Sequence, residues 1–370
     1  MKVAFIGWRG MVGSVLLERI FSQNDYKEYQ LDLFSTSQAG QHGPKIANHQ
    51  FGVLKDAFDL EELKNYDVIL TTQGSGYTEK VYPRIIKDNW KGYWVDAASL
   101  LRMDKNSIIC LDPVNDSVIK DGLTSGVRTF VGGNCTVSLM LMALNGLFKN
   151  GHVEWISSMT YQAASGAGAK NMTELINQMG FLSSSSEMLI NNNSSIIEID
   201  KKISESFNHP HFPKDNFGHP LAGNLLPWID VPVEHGMSKE EWKGMVETNK
   251  ILNTDTPVAI DGTCVRIGAM RSHCQALTIK LNKDLPLDEI SQMIGEANDW
   301  VNVIENEREK TLQELTPAKV SGKLDIPVGR LRKMRMGDKY LNAFTVGDQL
   351  LWGAAEPLRR MVKIIGEFNQ

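Results

Sequence analysis

The first absence in this sequence is that of a long apolar run. No stretch reaches the roughly 18 residues that a membrane-spanning helix needs, so we expect no membrane partner. No block of lysine or arginine stands out and the formal net charge is −5 at pH 7, which argues against a nucleic-acid partner. A signal peptide is not expected either, because residues 1–7 have the pattern of a strand that enters a glycine motif.

Cysteine is also scarce. The four cysteines show neither the paired spacing of a disulfide framework nor the spacing of metal ligands, so we expect no metal site; they are Cys110, Cys135, Cys264 and Cys274. A reducing cytoplasm suits this pattern best. Cys110 lies in a continuous apolar run and is interpreted as a core residue.

What the chain does contain is enough apolar sequence for two domains. It has 370 residues, of which 42% are hydrophobic and 22% charged, as in ordinary globular proteins. In the first third, strand-like runs alternate with helical patterns: residues 67–72, 92–96 and 107–111 follow two earlier strands. This alternation predicts an α/β fold with a doubly wound parallel sheet. Gln73 and Arg102 would lie at the carboxyl ends of its strands, where ligands bind.

A glycine motif at the N-terminus predicts a dinucleotide site. Residues 3–6 form a short apolar strand, and a helical pattern begins at Val15; between them stand Gly7, Gly10 and Gly13. Glycines permit a tight turn close to a pyrophosphate, and the helix N-terminus faces the phosphates. The spacing is G-x-x-G-x-x-G, so a plain glycine-rich turn remains the alternative.

The tip of the second strand favours NADP over NAD. Residues 29–34 end in the hydroxyl-rich run 35–38, whereas Asp32 lies inside the strand. An NAD site needs a carboxylate at the tip for the ribose 2′-OH. Hydroxyls together with Arg9 suit a 2′-phosphate instead, although such residues also cap ordinary loops.

Cys135 is the strongest catalytic candidate. A turn of two glycines and Asn134 precedes it, and an apolar helical pattern follows over residues 137–148. The thiol is therefore expected in the first turn of a helix, where unpaired N–H groups and the helix dipole favour the thiolate. A small buried cysteine is the alternative.

The second half of the chain supplies possible partners for this thiol. A predicted strand, 154–161, leads to Gln162 and a second glycine-rich loop, 163–170, before a helix over 171–179. That loop can present N–H groups to a ligand or can be a plain connection. Residues 181–225 are polar and are interpreted as loops around a short helix near 196–203.

A charged helix face and a strand carry the remaining candidates. Ser238 and Glu241 form a capping box, after which Glu240, Lys243 and Glu247 share one face. That face is either solvated or binds an ammonium and an anion. Over residues 261–280, Arg266 and His273 differ in strand parity, so both can face one site only if the strand breaks near Gly268.

Together these segments resemble the aspartate-semialdehyde dehydrogenases, in the bacterial form close to the enterobacterial enzymes. The resemblance covers nearly the whole chain and is carried by GWRGMVGS, FSTSQ, GGNCTVSLMLM, YQAASGAGAK, EEWKGMVETNKILN, VRIGAMRSHCQA and FTVGDQLLWGAAEPLRRM. It implies reversible reduction of aspartyl phosphate by NADPH to aspartate semialdehyde and phosphate, in the biosynthesis of lysine and diaminopimelate, methionine, threonine and isoleucine.

The resemblance also implies a role for individual residues. Cys135 would be the nucleophile and His273 the acid/base, and Gln162 would orient the substrate near the thiol. Arg266 would hold the substrate carboxylate, Glu240 its amino group, and Arg102 and Lys243 the phosphate. From the residues themselves, the Cys135 N–H and the Asn134 side chain are the nearest donors for the oxyanion. The NADP contacts would be Gly7, Arg9, Gly10, Met11, Val12, Gly13, Thr36, Ser37, Gln73, Ser165, Gly166 and Gln349. At one further cofactor position of the family, this chain has Asn193 in place of proline.

The family fold implies a Rossmann-like NADP-binding domain over residues 1–133, completed by a C-terminal helix at 355–370. An α+β catalytic and dimerisation domain of the glyceraldehyde-3-phosphate dehydrogenase-like type would span 134–354, in a homodimer. The alternatives are a related reductase, such as N-acetylglutamyl-phosphate reductase or glyceraldehyde-3-phosphate dehydrogenase, a cysteine hydrolase, or an NADP-binding regulator. An N-acetylated substrate would leave no ammonium for Glu240, and a hydrolase would not need the glycine motif.

Overall fold

The computed structural model describes residues 1–369. Its N-terminal part contains β1 (Lys2–Ile6), β2 (Gln30–Ser35), β3 (Lys45–Ile46), β4 (His49–Gln50), β5 (Lys55–Asp56), β6 (Val68–Thr71), β7 (Tyr93–Asp96), β8 (Ser107–Cys110) and β9 (Thr129–Gly132). A parallel sheet of seven strands has the order β5-β2-β1-β6-β7-β9-β8, and β3 pairs with β4 as a hairpin. From β1 the chain adds strands first on one side, as β2 and β5, and then on the other, beginning with β6. This switch in strand order opens a crevice at the carboxyl ends of β1 and β6.

Helices cover both faces of this sheet. They are α1 (Met11–Ser22), α2 (Leu60–Leu63), α3 (Ser75–Lys87) and α4 (Asp112–Thr124). The turn from β1 to α1 needs glycine at two positions. Gly7 has φ +84°, and a Cβ there would lie 2.6 Å from the Gln73 nitrogen; a Cβ on Gly13 would lie 2.1 Å from the Gly7 oxygen. The strand and the helix are therefore packed as closely as a dinucleotide turn requires.

The C-terminal part is built on a mixed sheet. Its strands are β10 (Val153–Gln162), β11 (Leu225–Leu226), β12 (Ala259–Asp261), β13 (Cys264–Ile267), β14 (His273–Leu281), β15 (Val301–Val303), β16 (Ile326–Met334) and β17 (Gly337–Gly347). They follow the order β11-β13-β10-β14-β17-β16-β15, with β12 also paired to β10. The N-terminal part has the predicted doubly wound parallel sheet and the C-terminal part is α+β, so the predicted fold class is confirmed.

The second group of helices begins with the one that carries Cys135. They are α5 (Cys135–Lys149), α6 (Ala169–Asn191), α7 (Ile196–Ser206), α8 (Lys239–Leu252), α9 (Leu287–Gly295), α10 (Arg308–Glu314), α11 (Pro317–Val320) and α12 (Glu356–Phe368). Helix α5 is buried from Thr136 to Leu147. One hydrophobic core runs from Ile6 of the first sheet through α5 to Leu277 of the second, so both sheets hold α5 in place.

One expectation about this region is wrong. Residues 181–191 are not a loop but the second half of α6, which runs for 23 residues. Leu182 is buried in a small core with Phe212, and α6 packs along α7. The Ser186 hydroxyl donates to the Leu182 carbonyl at 2.9 Å, so a serine with low helix propensity is satisfied inside the helix. Tertiary packing outweighs the local preference for a loop.

Helix α12 packs on α1, on α4 and on the first sheet. At its start, the buried Glu356 carboxylate accepts hydrogen bonds from Arg19 Nε at 2.9 Å and Arg359 Nη2 at 2.8 Å, and Arg359 also donates to Asp25 at 2.5 Å. Burial alone would raise the pKa of Glu356, but the two arginines outweigh it and hold that pKa below its usual value. The boundary between the domains after residue 133 stays a prediction.

This ion cluster gives the first testable prediction. We expect Glu356→Gln to lower the free energy of unfolding by about 3 kcal/mol, because Arg19 loses its buried counter-charge. Urea unfolding at pH 7 measures the change, and the loss should shrink as the pH falls through the low folded-state pKa of Glu356, where the carboxylate no longer contributes. Glu309→Gln, which removes an exposed partner of Arg308, is the matched control. A Glu356→Gln protein as stable as the control would contradict the argument.

Candidate active site

Cys135 is the first residue of α5 and lines a cavity of about 430 Å³. The residue before it, Asn134, caps the helix: its Oδ1 accepts the N–H groups of Thr136 at 3.0 Å and Val137 at 3.3 Å. Behind the thiol, a Cβ on Gly353 would lie 2.7 Å from the Cys135 Cβ. A π-helical turn at Leu351–Ala355 therefore packs directly against Cys135, and glycine is required there.

The charged face of α8 is buried against this cavity. Glu240, Lys243 and Glu247 are 7%, 9% and 2% exposed, so the solvated-face interpretation is excluded. Glu240 Oε1 accepts Asn134 Nδ2 at 2.9 Å and Gln162 Nε2 at 3.2 Å, and Glu240 Oε2 accepts Lys243 Nζ at 2.9 Å. Helix α8 thus brings a carboxylate and an ammonium beside the thiol.

Glu247 connects Arg102, a candidate phosphate ligand, to the turn that precedes Cys135. Its Oε1 accepts Arg102 Nη1 at 3.1 Å, and its Oε2 accepts the Asn134 backbone N–H at 2.6 Å. Arg102 Nε also donates to the Gly132 carbonyl at 2.7 Å. The guanidinium is thereby fixed where it lines the same cavity as Cys135.

Arg266 and His273 meet at the second glycine loop. Strand β13 ends at Ile267 and β14 begins at His273, so the strand breaks where the parity argument requires. Arg266 Nη1 donates to the Ala163 carbonyl at 2.8 Å, and the Ala163 N–H donates to His273 Nδ1 at 3.1 Å. Since Nδ1 accepts, the neutral ring carries its proton on Nε2. That buried Nε2 has no protein partner among the described residues.

Burial sets the protonation of the two central groups. Burial, and then the Glu240 charge, raise the pKa of Cys135 to about 12, while burial, and then Arg266, lower the pKa of His273 to about 3. At pH 7 the site therefore holds a neutral thiol and a neutral imidazole. The helix start was expected to favour the thiolate, but the pKa of Cys135 is shifted in the opposite direction, because burial and the Glu240 charge favour the thiol.

A pH dependence follows from the raised thiol pKa. We expect the rate of alkylation of Cys135 by iodoacetamide in the ligand-free protein to rise about tenfold per pH unit from pH 7 to pH 9, because only the thiolate reacts and its fraction grows in proportion. Mass spectrometry of the Cys135 peptide measures the rate. A plateau in that range would show a lowered pKa and would contradict the burial argument.

The cofactor candidates fall into a second cavity and the edge of the first. Gly7, Arg9, Gly10, Thr36 and Gln73 line a cavity of about 430 Å³ at the carboxyl ends of β1, β2 and β6. Arg9 Nη2 donates to the Ser37 hydroxyl at 3.0 Å. Met11 opens α1, and its neighbour Val12 lines the Cys135 cavity. The first turn of α1 thus lies between the two cavities.

Three further cofactor candidates stand beside Cys135. Ser165, Gly166 and Gln349 line its cavity. The Gln349 amide donates to the Ser165 hydroxyl and accepts the Ser272 N–H at 2.8 Å. Asn193 is not brought to either cavity: it is exposed after the end of α6. The 23 residues of that helix carry it about 35 Å from the glycine loop.

The residues present fit a dinucleotide. The glycine turn leaves no room for side chains at Gly7 and Gly13, and the start of α1 offers N–H groups to phosphates. The Asp32 carboxylate lies inside β2, where it accepts hydrogen bonds from the Tyr66 hydroxyl at 2.6 Å and from Gln30 Nε2 at 2.9 Å. The groups at the carboxyl end of β2 are therefore hydroxyls and Arg9, and Asp32 supplies no carboxylate there.

Sequence reasoning missed two residues of the site. Asp230 lines the Cys135 cavity and its Oδ2 accepts Lys243 Nζ at 2.8 Å, but it lies in a connection without any periodic pattern. Gly353 has a helical neighbourhood in which nothing marks it as special. The sequence showed that Glu247 shares a helix face with Glu240 and Lys243. It did not show that Glu247 accepts a hydrogen bond from the Asn134 N–H.

Comparison with known proteins identifies the class of protein to which this chain belongs. Residues 2–122 match the family model described as semialdehyde dehydrogenase, NAD binding domain, and residues 144–352 match semialdehyde dehydrogenase, dimerisation domain. The chain is 46% identical to aspartate semialdehyde dehydrogenase from Francisella tularensis, with 99% of each chain covered and a TM-score of 0.95. It belongs to the aspartate-semialdehyde dehydrogenase family, a family of oxidoreductases, as the sequence predicted.

More distant structures share the fold. Aspartate semialdehyde dehydrogenase II from Vibrio cholerae is 22% identical, with 99% of this chain and 98% of that chain covered and a TM-score of 0.79. The enzyme from Candida albicans, solved with NADP, is 14% identical over 99% of both chains, with a TM-score of 0.67. The nicotinamide type of cofactor predicted from the sequence is confirmed by the NAD-binding family model.

Within residues 1–369, none of the helices has the length and apolar character to cross a bilayer. In the same residues, no three histidine, cysteine, aspartate or glutamate side chains are grouped to hold a metal ion.

Proposed function

We propose that this protein catalyses the reversible, NADPH-dependent reductive dephosphorylation of L-4-aspartyl phosphate to L-aspartate 4-semialdehyde. The observation that carries the proposal is the set of charges around one thiol: Glu240, Arg266, Arg102 and Lys243 all line the cavity of Cys135. The substrate has one ammonium, one carboxylate and one phosphate, and each finds a group of opposite charge.

The groups are assigned by chemistry. Arg266 holds the α-carboxylate, because a planar guanidinium binds a carboxylate in bidentate fashion. Glu240 holds the α-ammonium, and Gln162, which donates to Glu240 at 3.2 Å, orients the acyl group beside the thiol. Arg102 and Lys243 bind the phosphate.

Bond changes at Cys135 follow from this pose. The thiol gives up its proton, the sulfur attacks the acyl carbon, and the carbon–oxygen bond to phosphate breaks. Inorganic phosphate leaves with the bonding electrons and takes up that proton, which gives a thioester. When bound, NADPH would supply a hydride to the acyl carbon. The carbon–sulfur bond to Cys135 would then break with the thiolate as the leaving group, which releases the aldehyde. The Cys135 backbone N–H at the helix start and the Nε2 proton of His273 can donate to the oxygen on which charge develops. Asn134 supports this turn through its cap and through Glu240.

We also propose NADP over NAD. Arg9 and Ser37, which are joined by a hydrogen bond of 3.0 Å, stand at the strand tip where a 2′-phosphate lies. Gly7, Gly10, Met11, Val12 and Gly13 would bind the pyrophosphate, and Thr36, Gln73, Ser165, Gly166 and Gln349 the remainder. The position of Asn193 outside both cavities gives no support to a contact within one chain.

A homodimer and a cytoplasmic location complete the proposal. The C-terminal part matches a dimerisation domain, and Met159 and Tyr161 are 38% and 36% exposed on β10, in the interior of the second sheet. A partner copy would cover such a face; sedimentation velocity tests this. The four cysteines are free, as suits a reducing compartment.

One assay tests the function. We expect reduction of NADP with L-aspartate semialdehyde to require phosphate or arsenate, since acyl transfer from Cys135 needs that acceptor, and to be slower with NAD. Absorbance at the NADPH band measures it, with N-acetylglutamate semialdehyde as the control aldehyde. Full-rate turnover without phosphate, or equal turnover of the N-acetylated control, would exclude the proposed reaction.

A further inference from the structure

Lys243 forms two ion pairs at the edge of the Cys135 cavity. Its Nζ donates to Glu240 Oε2 at 2.9 Å and to Asp230 Oδ2 at 2.8 Å, and the residue is 9% exposed. The other oxygen of Glu240 accepts the amides of Asn134 and Gln162. A new cation at Glu240 must therefore take the place that Lys243 holds on Oε2.

The two amide donors cannot make way as easily. Asn134 is fixed because its own oxygen caps α5, and Gln162 Nε2 also contacts the Thr160 hydroxyl at 3.2 Å. Lys243, by contrast, has a flexible stem and a second carboxylate within reach. Asp230 is itself held, since its Oδ1 accepts the Val231 N–H at 2.8 Å.

We propose that substrate binding exchanges ion pairs: the α-ammonium takes Glu240 Oε2 from Lys243, and Lys243, retained by Asp230, turns to the phosphate. The inference rests on the proposed function. The amino group of the substrate then has two roles: it binds Glu240, and by doing so it frees Lys243 to bind phosphate.

Burial explains why phosphate alone does not bring about the exchange. If phosphate drew Lys243 away from Glu240, a buried carboxylate would lose its counter-charge, which is unfavourable. When the ammonium arrives as well, every charge stays paired. The affinities for phosphate and for the amino aldehyde must therefore reinforce each other, equally in both directions.

Calorimetric titration of phosphate tests this coupling in the absence of NADP, so that no oxidant is present and no turnover occurs. In the wild type, saturating L-aspartate semialdehyde should tighten phosphate binding by about tenfold. Succinate semialdehyde, which has the same carboxylate and aldehyde but no amino group, should not tighten it. In Lys243→Met the ratio of the two phosphate Kd values should fall to about one.

Lys239→Met is the matched control, because it makes the same change at an exposed lysine of α8 and leaves Lys243 paired with Glu240 and Asp230; the ratio should persist. Equal effects of the two aldehydes, or an unchanged ratio in Lys243→Met, would overturn the exchange. Circular dichroism verifies that each variant is folded. Failure of the proposed function is recognised separately, as absence of NADP reduction by the wild type with aspartate semialdehyde and phosphate.

Discussion

Cys135→Ser should reduce the rate of NADP reduction with aspartate semialdehyde and phosphate by on the order of 10⁵-fold. The serine hydroxyl is a far weaker nucleophile than a thiolate at neutral pH, and removal of a nucleophile costs a factor of this order in enzymes that form acyl intermediates. NADP binding should stay within about twofold, because replacing sulfur by oxygen leaves the proposed contacts at the glycine turn and at Ser165 and Gln349 unchanged. Steady-state rates and a fluorescence titration of NADPH provide the two measurements.

The matched control is Cys110→Ser. Cys110 is buried in the first sheet, and its sulfur donates to the Val131 carbonyl at 3.3 Å, a bond that a serine hydroxyl can keep. Turnover of this variant should be close to that of the wild type. If Cys135→Ser retained turnover, a covalent route through the thiol would be excluded, and if the wild type bound NADP without any turnover, the protein would be a regulator.

The charges beside Cys135 and His273 act on the two groups in opposite directions. Glu240 raises the pKa of Cys135 and Arg266 lowers it, whereas Arg266 lowers the pKa of His273 and Glu240 raises it. A substrate that pairs with both charges weakens opposing contributions, and burial remains the main cause of both shifts.

Local sequence patterns were sufficient for most of the first sheet. Apolar runs of four to six residues gave β1, β2, β6, β7 and β8, because buried parallel strands are apolar on both faces. Strand β9 was not predicted, since its residues run directly into the glycine turn before Cys135 and read as part of it. The second half of α6 was not predicted either, because its stability comes from contacts with α7 that no local pattern shows.

The same limit applies to the site: the sequence shows which residue types are present but not which of them are in contact. Residue type and the family resemblance named Glu240, Lys243 and Arg266, and the parity argument required the break between β13 and β14. No sequence pattern shows that Lys243 is paired with both Glu240 and Asp230, or that burial neutralises Cys135. Those properties depend on distances between segments far apart in the chain.

Gly166→Ala should lower kcat/KM for aspartate semialdehyde by about 10²-fold. A Cβ at this position would lie 2.7 Å from Arg266 Nη1 and 3.0 Å from His273 Nε2. Neither group can move freely, since Ala163 binds the first through its carbonyl and the second through its N–H. A displacement of about 1 Å at groups that orient a substrate is enough for a loss of this size.

Gly180→Ala provides the comparison, because a Cβ there meets nothing within 4 Å in the middle of α6. It should leave kinetics unchanged and raise stability by up to about 1 kcal/mol through helix propensity. In Gly166→Ala, KM for the semialdehyde should rise together with the fall in kcat, because Arg266 is the proposed carboxylate ligand and His273 the proposed hydrogen-bond donor at the reacting carbonyl. Wild-type kinetics in Gly166→Ala would mean that the substrate reacts away from both side chains, and the assignment of Arg266 and His273 would have to be abandoned.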